Sequence, residues 1–121
     1  MNKFQSLNLN VLWKSLIFIT ILSLPLSATA GEGSGKITRI YAHEKNGGAG
    51  VIMFNVETHT NPPASCPGHE WAFDANNDQG KAMYALLLAA ASQGKSVTVK
   101  GSGDCAAWAD RERPFWIMVD Y

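Results

Sequence analysis

Apolar positions in this chain fall into three patterns. From Ala82 to Ala91 they run without a break inside the segment DQGKAMYALLLAAASQG, Asp78 to Gly94. That pattern predicts a helix of about four turns: Asp78 offers a side-chain oxygen to the free amides of a first turn, and Gly94 takes the left-handed conformation that ends one. The second pattern flanks the first and consists of short β-branched or aromatic groups separated by Gly, Pro and Asn, which predicts strands. Lys36–His43 alternates loosely, Asn46-Gly47-Gly48 supplies a hairpin turn, Ala49–Glu57 follows as an apolar strand, and His69–Asp74 is a short third. Beyond the helix, Lys95–Lys100 places Val97 and Val99 on one face, and Pro114–Tyr121 closes the chain. Two loops separate these elements, the proline-rich Thr58–Gly68 and Gly101–Asp110, while Gly31–Gly35 (GEGSG) reads as a flexible lead-in. Three strands, one helix and two strands predict a mainly β domain, a five-stranded OB-fold barrel with the helix between strands three and four.

An apolar run this long leaves the predicted helix no wide polar face for water once one side is packed on a core. A second partner is expected, with Met83, Leu86, Leu87 and Ala90 as the subunit interface; the alternative is an Ala-rich helix that tolerates exposure. The run is about half the length needed to cross a bilayer, so no membrane insertion is expected.

The third pattern is the amino-terminal one. Lys3 and Lys14, the apolar stretch Leu16 to Leu24 and the small-residue site Ala28-Thr29-Ala30 form a secretory signal peptide spanning residues 1–30, with cleavage after Ala30. A membrane anchor is the alternative, but the apolar core is short for one. Residues 31–121 then form a single domain, secreted or periplasmic. The full chain has no net charge; without the leader, eight basic face ten acidic residues, a net charge of −2. With no basic patch, nucleic acid is not an expected partner.

Cys66 and Cys105, an even count in an exported chain, are most simply one disulfide. A metal pair with His69 is the alternative, disfavoured by the lack of a Cys-x-x-Cys. His43, His59 and His69 have no recognised catalytic or ligand spacing, and Asp110-Arg111-Glu112 reads as a solvated loop. No nucleophile motif, phosphate loop or metal signature is present, so a binding protein is expected, not an enzyme, with neither cofactor nor metal. Among the aromatics, Trp108 in its loop is the candidate for stacking on a sugar face, with packing over the disulfide as the alternative.

Ser34-Gly35-Lys36-Ile37-Thr38-Arg39-Ile40, the Cys66 loop, Trp71 before the helix and Gly94-Lys95-Ser96-Val97-Thr98-Val99 after it carry a resemblance. With its leader, the chain resembles the B subunits of subtilase cytotoxin and of the typhoid and pertussis-like toxins. The resemblance implies an OB-fold protomer in a homopentameric ring lined by the helices, binding sialylated cell-surface glycans and delivering an enzymatic A subunit. It also implies that Ser34, in the pair Ser34-Gly35, contacts the sugar. The chain departs from the family after strand four: Lys100-Gly101 stands where a tyrosine pair is expected, removing an aromatic wall and leaving Lys100 either to meet a sugar carboxylate or simply to be solvated. The expected glycan site is therefore Ser34, Gly35, Lys100 and Trp108. Rival readings from the same residues are a monomeric periplasmic OB-fold module for a peptide or small molecule, and an exported enzyme inhibitor that inserts the Thr58–Gly68 loop.

Overall fold

A computed structural model describes residues 29–45, 47 and 49–121. The expected leader up to residue 28, and the turn residues Asn46 and Gly48, lie outside the described residues.

The described residues fold as one five-stranded sheet with one helix: β1 Glu32–Lys45, β2 Ala49–Thr60, β3 Trp71–Asp74, α1 Asp78–Ser92, β4 Ser96–Gly101 and β5 Pro114–Val119. The strand order is β3-β2-β1-β4-β5, and every neighbouring pair is antiparallel. The expected closed barrel is not formed by a continuous ladder. Instead, the start of β3 meets the chain just before β5 at one parallel bridge, Trp71 to Glu112, with the Ala72 N–H donating to the Glu112 carbonyl at 3.1 Å.

β1 is the strand that the others share. It pairs with β2 along its length and with β4 through Glu32–Lys36. Gly31–Gly35 is therefore not a flexible lead-in, since from Glu32 onward it begins β1 with hydrogen-bonding neighbours on both sides, which offsets the entropy that glycine loses on ordering. The register slips between Ser34 and Ile37, where Gly35 has φ of +109° and a Cβ would run into Glu57. A β-bulge at that point bends the strand.

At the helix the caps differ by one residue from expectation. Asn77, not Asp78, is the N-cap, its Oδ1 accepting from the Gly80 N–H at 2.7 Å, while Asp78 sits exposed in the first turn. An Asn one position earlier does the same job and leaves the carboxylate to favour the positive end of the helix dipole. The other end is as expected: Gly94 has φ of +63°, and the Lys95 and Gly94 amides return to the Ala90 and Ala91 carbonyls.

β2 is covered on both faces, which is why its apolar residues run continuously. Ile52, Phe54 and Val56 point into the main core with Trp71, Phe73, Leu87, Ala90, Val97 and Val99. Val51 and Met53 point the other way, into a smaller cluster with Ala72 and Ala107 that Tyr41 and Trp108 border. Leu87 and Ala90, expected at a subunit interface, are instead 0% exposed inside this protomer, and Met83 packs against the same core. The helix needs that face for its own sheet. Leu86 is half-buried, and the large apolar side chain that α1 turns outward is Leu88, 44% exposed.

Cys66 and Cys105 form the expected disulfide, with Cα atoms 5.7 Å apart, joining the loop after β2 to the loop after β4. The same loops are tied by ions. Glu70 accepts from Tyr41 Oη at 2.9 Å and from Arg111 Nε at 3.1 Å. Although burial works to raise it, these hydrogen bonds and the charges of Arg111 and Arg39 hold the Glu70 carboxyl below its ordinary range. Burial, and then the hydrogen bond to Glu70, raises the Tyr41 hydroxyl. Asp110-Arg111-Glu112 is thus not a solvated run: Arg111 grips Glu70, and Glu112 is 0% exposed.

Candidate functional site

Alternation along four adjacent strands decides which side chains share the open face of the sheet. In β1, Gly33 faces the core while Glu32 and Ser34 face solvent; in β4, Val97 and Val99 face the core while Thr98 and Lys100 do not. The pairing register brings these outward residues into two rows. Thr60, Glu32, Lys100 and Trp116 form one row across β2, β1, β4 and β5, and Thr58, Ser34, Thr98 and Met118 form the next. The first row and the three hydroxyl residues of the second border an open pocket of about 460 Å³, together with backbone at Gly33 and Val99.

Ser34 and Lys100, both expected from the sequence, are therefore in one pocket. Gly35 is outside the lining and serves the bulge in β1. Trp108 is not in the pocket either: it borders the smaller core cluster, its ring centroid 4.5 Å from that of His43. The aromatic wall is supplied instead by Trp116, opposite Lys100 on β5 and 39% exposed. Sequence reasoning missed Glu32, Thr58, Thr60, Thr98 and Trp116. The signal was there in the alternation Glu-Gly-Ser, Thr-His-Thr and Thr-Val-Lys, which puts a polar side chain at every second position.

Hydrogen bonding fixes what these groups can offer. The Thr58 hydroxyl donates to the Ser34 carbonyl at 3.0 Å, so in the 2.8 Å contact between the two hydroxyls Ser34 is the donor. Ser34 Oγ then presents lone pairs to the pocket, ready to accept from a ligand hydroxyl. Lys100 Nζ lies 2.6 Å from Glu32 Oε1, so the pocket's cation is already paired. A neutral, hydroxyl-rich ligand fits this set; a carboxylate, which only accepts, would meet the Ser34 lone pairs and the Glu32 charge.

Among the described residues, no group of three His, Cys, Asp or Glu side chains could hold a metal ion, and no helix is long and apolar enough to cross a membrane. Comparison with protein-family models, with curated proteins and with solved structures finds no match to this chain.

Proposed function

We propose that this protein is an exported glycan-binding subunit, built on an OB-fold and assembling as a homopentamer able to carry an enzymatic partner subunit. The observation that carries the binding half is the pocket itself: an exposed indole beside four hydroxyl side chains and one ion pair in a shallow open cavity is the combination that takes a sugar, apolar ring face on Trp116 and hydroxyls on Ser34 and the threonines. Its ion-paired Lys100 favours a neutral saccharide face over a sialic-acid carboxylate. The strand order, with β1 shared by β2 and β4 and the parallel bridge from Trp71 to Glu112, supports the OB-fold. Leu88, Phe115, Met118 and Tyr121, 44 to 74% exposed, supply apolar surface for subunit contacts.

A glycan array probed with the exported protein tests the binding reading, with Trp116→Ala and Ser34→Ala as controls. Neutral saccharides should bind, and Trp116→Ala should weaken them about tenfold or more, the loss of some 1.4 kcal/mol of stacking. Absence of binding to every saccharide, or binding that both substitutions leave intact, would remove the pocket from the proposal. Light scattering gives the assembly state; a monomer would leave a single binding module.

A further inference from the structure

Glu112 is fully buried, and the chain is shaped around its carboxylate. The Gly31 nitrogen lies 2.9 Å from Oε1 and 3.1 Å from Oε2, and the Gly103 N–H donates to Oε1 at 3.0 Å. A Cβ on either Gly31 or Gly101 would collide with the carboxylate oxygens. Glycine at these two positions is what lets backbone approach so closely.

A buried carboxylate needs a counter-charge, and amide hydrogen bonds alone do not supply one. Among the described residues, His59 is the titratable side chain recorded within ion-pair distance, its Nε2 3.8 Å from Oε2. That is beyond a hydrogen bond. The His59 Nε2 atom is buried without a partner, Nδ1 is engaged with the His69 carbonyl at 2.8 Å, and the ring is stacked on Trp71 at 4.2 Å. The nearest nitrogen is thus not a side chain but the backbone of Gly31, placed between the two carboxylate oxygens. Gly31 is also the residue that follows the Ala28-Thr29-Ala30 cleavage site.

We propose that Glu112 is the seat of the α-ammonium group created when the leader is removed after Ala30. An export peptidase adds water across the Ala30–Gly31 bond, leaving a carboxylate on Ala30 and an amine on Gly31 that takes up a proton. The amide N–H shared between two oxygens becomes an ammonium with three N–H groups and a full charge, and the start of β1 is locked to the segment before β5 by a buried ion pair. The inference rests on the cleavage site and is independent of glycan binding.

The test exports the full chain from a bacterial host grown with isotope-labelled glycine. Intact mass should show residues 31–121, and NMR should show the Gly31 amino group titrating about one unit or more above the ordinary 7.7 to 8.0. Glu112→Gln should return it to that range. A raised amino pKa means stability that is complete below about pH 8 and lost as pH rises through the folded value, and a cleavage-blocked Ala28→Arg chain should lack that loss. The latter comparison serves if Glu112→Gln does not fold. A mature chain starting elsewhere, an ordinary Gly31 titration, or a His59 ring that keeps its proton above pH 8 while Gly31 titrates normally would each overturn the proposal.

Discussion

Leu87 and Leu88 are adjacent in sequence and about 100° apart around the helix, and between them they separate the two faces of α1. Leu87 is 0% exposed in a cluster with Phe54, Trp71 and Phe73, so Leu87→Ala removes buried methyl groups from a site that cannot collapse freely and should cost roughly 3 to 5 kcal/mol. For a small domain that is a large part of the total. Leu88 is 44% exposed, and its substitution in an isolated protomer should change stability by no more than about 1 kcal/mol. In an assembly that covers the outer face of α1, Leu88→Glu places a charge in the contact, a penalty of several kcal/mol for each copy. Urea denaturation at low protein concentration and light scattering at high concentration read the two effects separately. Leu87→Ala should lower the urea midpoint, whereas Leu88→Glu should leave it in place and reduce the native mass to one protomer. A Leu88→Glu protein that still elutes as a ring would exclude the outer helix face as the contact, and a loss below about 1 kcal/mol for Leu87→Ala would contradict its packing.

Reducing the Cys66–Cys105 bridge, which spans 39 residues, should cost about 4 kcal/mol on the chain-entropy model and lower Tm by about 15 to 30 °C in calorimetry. A shift of only a few degrees would mean that the loops are held by the Glu70 ions instead. Asp104 is hydrogen-bonded by Arg113, the main reason its pKa falls to about 2, so it contributes stability that is complete above the unfolded value near 3.9 and is lost as pH falls through about 2. Both side chains are about 40% exposed, so the screened contribution is about 0.5 to 1 kcal/mol; Asp104→Asn should remove that portion of the acid transition, and an unchanged acid limb would show the pair to be neutral.

How much of this was legible in the sequence depends on how local the cause is. The helix was readable because its apolar run and Gly94 act within a few residues, and the strands after it because Val97 and Val99 alternate. The facing of the helix was not: an unbroken run gives no phase, so nothing local distinguishes Leu87 from Leu88, and only the sheet's position decides. The GEGSG segment was misjudged for a related reason. Glycines there look flexible in isolation, yet they are required because β2, the Trp71 ring and the Glu112 carboxylate crowd them from distant parts of the chain. Trp116 and Trp108 differ in the same way, since register across β4 and β5, not the character of the loop, determines which indole reaches the pocket.

The pocket and the buried carboxylate are two ends of one short stretch. Glu32 and Ser34 line the pocket, and Gly31, immediately before them, is held by Glu112. A first strand normally frays at its free end, and fraying here would carry away the pocket's acid and its serine together. Gly101 donates its N–H to the Gly31 carbonyl at 2.8 Å, and the proposed α-ammonium ion pair would act at the same residue, where fraying would begin. Under the two proposals together, maturation of the chain would preorganise the site: a saccharide would not have to order Glu32–Ser34, which would leave the shallow contacts of Trp116 and the hydroxyls to appear as affinity. The two proposals are linked in one direction only. Loss of the Gly31–Glu112 pair should weaken saccharide binding through the mobility of β1, whereas Trp116→Ala should weaken binding and leave the Gly31 titration where it was.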